Sequence, residues 1–236
     1  MDEVDSPGQI VVKGAAGALG RAVVQLFLDN GARVALIDHR LEHLVSSFPG
    51  LDNSQHLLLQ ADVTSVEAMA GAGQRVLGTF GGQVDALVHI AGGFEMGEPV
   101  HALGRAAWDR MMNLNAWSFV AVTQALVPSM IERKAGRVVA VTAKTAARGA
   151  AAMAAYIASK SALQRLVEAS AAELAPHGIT VNSIAPSVLD TPANRQAMPD
   201  VNPNQWVSTS VAARTVAFLA SPAAAALHGQ HLTLDA

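Results

Sequence analysis

Tyr156 is the sole tyrosine in 236 residues, and Lys160 follows four positions later. That spacing places both side chains on one helix face. A phenol with its ordinary pKa near ~10 is a poor proton carrier at neutral pH, and a cation one turn away favours its ionised form. The same lysine can hold a ribose, although an isolated Tyr-x-x-x-Lys pair is also what a solvated helix face looks like. Near the other end of the chain, Gly14, Gly17, Ala18, Leu19 and Gly20 form a glycine-rich turn between an apolar run and a helical stretch. Backbone N–H groups and the positive end of a helix dipole can receive a dinucleotide pyrophosphate there. Asp38 closes the second apolar run, where a carboxylate accepts bonds from adenosine ribose hydroxyls. Its charge would repel a phosphate on that ribose, which favours NAD(H) over NADP(H), whereas Arg40 could swing in to accept one. Asp38 also reads as a helix cap before Leu41. Asp62 reads either as a partner for the adenine edge or as an ordinary turn aspartate.

These residues need a frame, and the chain alternates short β-branched runs with longer helical patterns. Strands are expected at 10–12, 33–37 (closed by Asp38), 56–60, 84–90, 137–142, 179–184 and 232–234. Helices are expected at 21–30 (with Gly31 just past its end), 65–79, 105–133, 154–175 and 204–220. Continuous apolar strands alternating with helices imply a parallel sheet covered on both faces. No linker or repeat divides the chain, so residues 1–236 read as one domain. Residues 187–205, rich in Pro, Asn and Asp, read as a mobile loop over the site.

Composition narrows the function classes. With 51% hydrophobic and 15% charged residues, disorder is excluded. A net charge of −3 with no basic run offers nothing to a row of phosphates, so no nucleic-acid partner is expected. The absence of cysteine rules out a thiol nucleophile and a thiolate metal site. The eight histidines lack ligand spacing, so no metal is expected. His89 stands apart from the others in lying at a strand end beside the expected cofactor turn, and a hydrogen-bonded structural histidine is its plainer reading. The acidic segment Met1-Asp2-Glu3-Val4-Asp5 does not look like a secretory signal, and no apolar run reaches ~20 residues. No membrane and a cytoplasmic location are the expectations.

From about Ile10 to Leu234 the chain resembles the short-chain dehydrogenase/reductase family. The resemblance rests on the glycine turn, Asp38, Asp62-Val63, Ala91-Gly92, Asn115, Tyr156-Ile157-Ala158-Ser159-Lys160, Pro186 and Thr191. It implies an α/β, Rossmann-type, doubly wound parallel sheet of seven strands with helices on both faces. It further implies Tyr156 as acid/base, Lys160 tuning it, and Asn115 holding a relay water and backbone. Thr191 would hold the nicotinamide carboxamide, and the protein would be a homodimer or homotetramer through the helices carrying Asn115 and Tyr156.

The chain also departs from the family pattern. Lys13 stands where a threonine is usual, Ala18 replaces a glycine, and His89-Ile90-Ala91-Gly92 replaces Asn-Asn-Ala-Gly. Ala143 occupies the catalytic serine's position. Thr142 is next door but points to the opposite face by strand alternation, while Thr145 could reach in from the loop. Within the family the chain is most similar to a dihydropteridine reductase-like branch, through Ala91-Gly92-Gly93-Phe94, Ala143-Lys144, the Asp190–Arg195 segment and Trp206. A quinonoid dihydropterin, already electrophilic, needs a proton donor more than a polarising hydroxyl. Phe94 and Trp206 would then flank its flat ring. Three functions follow: hydride transfer to such a small substrate with Tyr156 as proton donor, a 3-oxoacyl or secondary-alcohol/ketone oxidoreductase using Thr145, or a non-catalytic dinucleotide binder. Lys13 and Lys144 read as positive charge near the site or as inert surface, and Trp108 and Trp117 as packing on the central helix.

Overall fold

A computed structural model describes residues 8–51 and 54–236; the acidic segment 1–5 lies outside the described residues. Seven parallel strands form one sheet: β1 (Gln9–Lys13), β2 (Arg33–Asp38), β3 (Leu57–Gln60), β4 (Ala86–His89), β5 (Gly136–Val141), β6 (Ile179–Pro186) and β9 (His231–Leu234). Their order across the sheet is β3-β2-β1-β4-β5-β6-β9. The strand order reverses between β1 and β4, and α/β sheets open a crevice at such a point.

Strand alternation divides the core into two layers. Ile10, Val12, Leu36 and Val88 face one side, packing with Val23 and Phe27 of α1 (Ala18–Asp29) and Val216 of α8 (Thr209–Leu219). Val11, Ile37 and Leu87 face the other, against Met69 and Val76 of α3 (Val66–Thr79), Phe119 and Leu126 of α5 (Ser118–Arg133), and Leu163 and Val167 of α6 (Ala154–Leu174). Each such fully buried side chain contributes roughly 1.5–3 kcal/mol. The expected doubly wound, seven-stranded α/β fold is the one observed.

Several expectations need correction. The expected 105–133 helix is α4 (Arg105–Met112) joined to α5 by a π-helical turn, Asn113–Trp117, which carries Asn115. By length and hydropathy Arg105–Arg133 is apolar enough to cross a membrane, yet half of its most apolar window is buried inside the protein. Its apolar character is accounted for by the core layer it supplies. Trp108 and Trp117 on this segment are 37% and 44% exposed, so they do not serve the core packing expected of them. Residues 187–205 are not one structureless loop. They hold β7 (Leu189–Asp190), which pairs with β8 (Val207–Ser208), and α7 (Pro192–Ala197). The last helix begins at Thr209, not 204, because Ser208 caps it through Val211 N–H at 3.2 Å. Helix α2 (Leu41–Ser47) is too short to show a period and has no counterpart among the expected helices.

Candidate active site

The switch point opens into a cleft of about 810 Å³ lined by Gly14, Gly17, Ala18, Leu19, Asp38, Asp62, Val63, Ala91, Gly92 and Thr191, among others. Its floor is shaped by backbone. Gly14 has φ +83°, and a Cβ there would stand 2.5 Å from the Ala91 nitrogen; a Cβ on Gly20 would stand 2.3 Å from the Gly14 carbonyl. These two glycines let β1, α1 and the end of β4 close on one another. Gly17 is the N-cap of α1 and offers no side chain to its first-turn N–H groups, nor does an acidic residue fill that turn. The positive end of a 12-residue helix therefore faces the cleft uncapped. Donors of this kind suit a dinucleotide's pyrophosphate.

Asp38 is 7% exposed, and its carboxylate accepts from the Ala16 N–H at 3.2 Å and pairs with His39 at 2.8 Å. It does not cap α2; Arg40 occupies that position and is not among the residues lining the cleft. Arg21, His39 and His43, unflagged by any sequence motif, do line it. Asp62 makes a turn: its Oδ1 accepts from the Thr64 N–H and hydroxyl, and these bonds hold its carboxyl below the usual range. Thr191 caps α7 by accepting from the Asn194 N–H at 3.2 Å. Pro186 is the buried last residue of β6, across from Leu234, and does not reach the cleft wall.

Beyond Gly92 the walls change character. A Cβ on Gly92 would fall 2.7 Å from Asn115 Oδ1 and 2.9 Å from Lys160 Nζ, so this glycine is the point where β4, the π turn and α6 meet. Asn115 is fully buried; its Oδ1 accepts from the Gly93 N–H at 2.8 Å, and its Nδ2 donates to the Gly93 carbonyl at 3.0 Å and to Ser159 Oγ at 2.9 Å. Ser159 in turn donates to the Tyr156 carbonyl at 2.7 Å, a supporting role no motif announced. Lys160 Nζ donates to the Val141 carbonyl at 2.9 Å, and burial lowers its pKa to about 8.

Burial pushes the Tyr156 phenol up, while a hydrogen bond from the Thr145 side chain pulls it down. The expected depression by Lys160 is not the controlling effect here, because that amine is desolvated and engaged with Val141. Thr145, on an exposed turn at 144–147, is thus placed at the phenol, whereas Thr142 faces away and donates to the Ile184 carbonyl at 3.0 Å. Ala143 is buried at 6% exposure and offers no hydroxyl. Phe94, 60% exposed, stands edge-to-face with Tyr156 at 4.9 Å between ring centroids. Trp206 is 6% exposed, so it packs within the protein and cannot present an open ring face opposite Phe94. Lys144 is paired with Asp235 at 2.7 Å. Among the described residues no cluster of three or more metal-ligating side chains exists.

Similarity to known proteins agrees with this geometry. The family model described as short chain dehydrogenase matches residues 9–202. The cis-4-hydroxycyclohexanecarboxylate dehydrogenase of Sinomonas cyclohexanicum is 30% identical, over 100% of this chain and 98% of the relative. The cyclopentanol dehydrogenase of Comamonas sp. is 30% identical over 96% of this chain and 94% of its own. A solved NAD+-bound xylitol dehydrogenase superposes with a TM-score of 0.88 at 25% identity, covering 98% of each chain.

Proposed function

The chain belongs to the short-chain dehydrogenase family of nicotinamide-dinucleotide oxidoreductases, and from that premise we propose that it interconverts a small secondary alcohol and its ketone, using NAD(H) in preference to NADP(H). The observation that carries this reading is the Tyr156 phenol, standing against the Thr145 hydroxyl and the Phe94 ring with Lys160 and Asn115 behind it. When bound, the dinucleotide supplies or accepts the hydride. Tyr156 gives a proton to the substrate oxygen or takes one from it. Thr145, its hydroxyl turning from the phenol to the substrate, donates a hydrogen bond to the same oxygen and so does the work for which Ala143 has no hydroxyl. Phe94 excludes water and offers an apolar edge to a ring or chain. Two relatives named for cyclic alcohols support an alicyclic substrate. The carboxylate of Asp38, deep in the cleft wall, supports NAD(H). The exposed Trp117, on the segment that carries Asn115, supports a homo-oligomer closing on that helix.

A second reading, reduction of a quinonoid dihydropterin, is favoured by the absence of a hydroxyl at Ala143 and by the aromatic edge of Phe94 on the proton donor. The deciding experiment follows turnover with a cyclic secondary alcohol plus NAD+, and with quinonoid dihydropterin plus NADH, in the unmodified protein, Tyr156→Phe and Thr145→Ala. Tyr156→Phe is expected to lose at least ~100-fold while still binding NADH. Thr145→Ala is expected to lose ~100-fold with the alcohol. An alcohol rate indifferent to Thr145, beside good pterin turnover, transfers the assignment to the pterin. Retention of most activity in Tyr156→Phe would sink the mechanism for both substrates. Firm cofactor binding with no turnover of either would leave a binding role.

A further inference from the structure

Beneath the cleft floor lies a pair of titratable groups that the mechanism above does not use. Lys13 and His89 are direct partners in the register of β1 and β4, so their side chains stand together on the α5–α6 side of the sheet. Both are 0% exposed. Lys13 Nζ lies 3.2 Å from His89 Nδ1 and donates to the Ser118 carbonyl at 3.1 Å, while His89 Nε2 is buried with no hydrogen-bond partner. Among the described residues the neighbours offer no carboxylate: Ile37 lies beside Lys13 on β2, Ala140 beside His89 on β5, and Phe119 of α5 edge-to-face with His89 at 5.5 Å. The charged group acting on both is Lys160 of α6. Each member also sits one residue before a lining residue of the cleft, Gly14 and Ile90.

We propose that Lys13 and His89, hydrogen-bonded to each other with no carboxylate beside them, form an interior proton-binding pair that takes up a proton when an anionic dinucleotide fills the cleft above it. An amine this deep, with no anion beside it and a second cation close by, is costly to charge. Burial, with the Lys160 charge added, holds both groups well below their ordinary values. A pyrophosphate held at the glycine turn would place negative charge above the floor that Lys13 underlies and so raise the proton affinity of its amine. The pair then shares one incoming proton across the Lys13–His89 hydrogen bond. The bound state gains a cation beneath the Lys160–Tyr156 pair without importing an acid. This inference rests on the dinucleotide-binding reading of the cleft.

The test is calorimetric titration of the full chain with NADH near neutral pH in buffers of different ionisation enthalpy, which counts protons taken up on binding. Lys13→Gln keeps a polar group for Ser118 and removes the titration; Lys13→Met serves as a second variant. The unmodified protein is expected to take up more protons than either variant, by a measurable fraction of one per site. Equal uptake in all three overturns the proposal. Abolished NADH binding in both variants, with the fold intact by circular dichroism, overturns it too, since Lys13 would then be a structural pin. A failure of the unmodified protein to bind NADH at all strikes the dinucleotide reading itself, and the pair's role with it.

Discussion

The two ends of the cleft hold themselves together by opposite means. At the glycine turn the work is done by backbone: uncapped N–H groups in the first turn after Gly17, close approaches at Gly14 and Gly20, and one carboxylate, Asp38, which accepts from Ala16 and His39. Beneath the floor and at the far end, buried side chains do it, and three of them, Lys13, Lys160 and His89, are bases with no carboxylate among their bonded partners. The first end is sterically fixed, and its one carboxylate is satisfied by hydrogen bonds. The second is sterically fixed but electrically poised, as suits a region that must gain or lose protons during a reaction. If this contrast is right, perturbing the first end should break shape, and perturbing the second should shift titrations.

The largest effect belongs to shape. In Gly14→Ala the left-handed backbone at φ +83° and the 2.5 Å approach to the Ala91 nitrogen act together. Strain and overpacking of this sort cost about 2–6 kcal/mol in total. The melting temperature should fall by roughly 5–20 °C, with dinucleotide affinity falling alongside. A Gly14→Ala protein with unchanged melting and binding would show that backbone closure does not define this end.

The second effect is electrical. The pKa of Lys160 is lowered to about 8 from its ordinary 10.5. Between those values the unfolded chain binds the extra proton and the native chain does not, so stability must rise as pH increases through the window. Below it the penalty is complete and constant. In denaturant unfolding the Lys160 share of the gain should be about 2 kcal/mol between roughly pH 8 and pH 9.5. Lys160→Met should remove the Lys160 share of that rise and leave the share of Lys13, which burial also holds below its ordinary value. A flat profile in the unmodified protein would mean that Lys160 is as well solvated folded as unfolded.

The same division explains what could be read from the sequence. The glycine turn, Asp38 and the Tyr156–Lys160 pair are local patterns, spelled within one turn or one strand–helix unit, and they stand where spacing puts them. Thr145 was also reachable, because its distance from Tyr156 along the loop is short. Lys13 and His89 were visible only as oddities: 76 residues separate them, and only the pairing of β1 with β4 makes them neighbours. Nothing in either tripeptide says that the lysine is buried. Ser159 likewise acquires its role from Asn115, 44 residues away. Trp108 and Trp117 misled in the other direction, since a helix with apolar residues on most of its faces does not declare which face the sheet will cover. The π turn at Asn113–Trp117 and the short β7–β8 pair lie below the length at which hydrophobic period is informative.

The smallest expected effect is the sharpest probe of the contrast, because it changes charge without shape. Asp38→Asn keeps an acceptor for the Ala16 N–H and removes the negative charge from the ribose end of the cleft. If the satisfied end discriminates electrically, the carboxylate's repulsion of a ribose phosphate at a few ångströms in a wet cleft amounts to about 1 kcal/mol. The preference for NADH over NADPH should then narrow by roughly five- to tenfold. The gain should be larger at low ionic strength, where charges meeting in an open cleft are least screened. Melting should fall only slightly, since the hydrogen bond to the turn survives while the acceptor for His39 is lost. Arg21, already lining the cleft with its guanidinium donating to the Ala16 carbonyl at 2.7 Å, is placed to receive the added phosphate once the carboxylate is neutral. Equal affinity for both cofactors in the unmodified protein would show that Asp38 shapes the turn and does not select the ligand, and the two ends of the cleft would then differ in material but not in their use of charge.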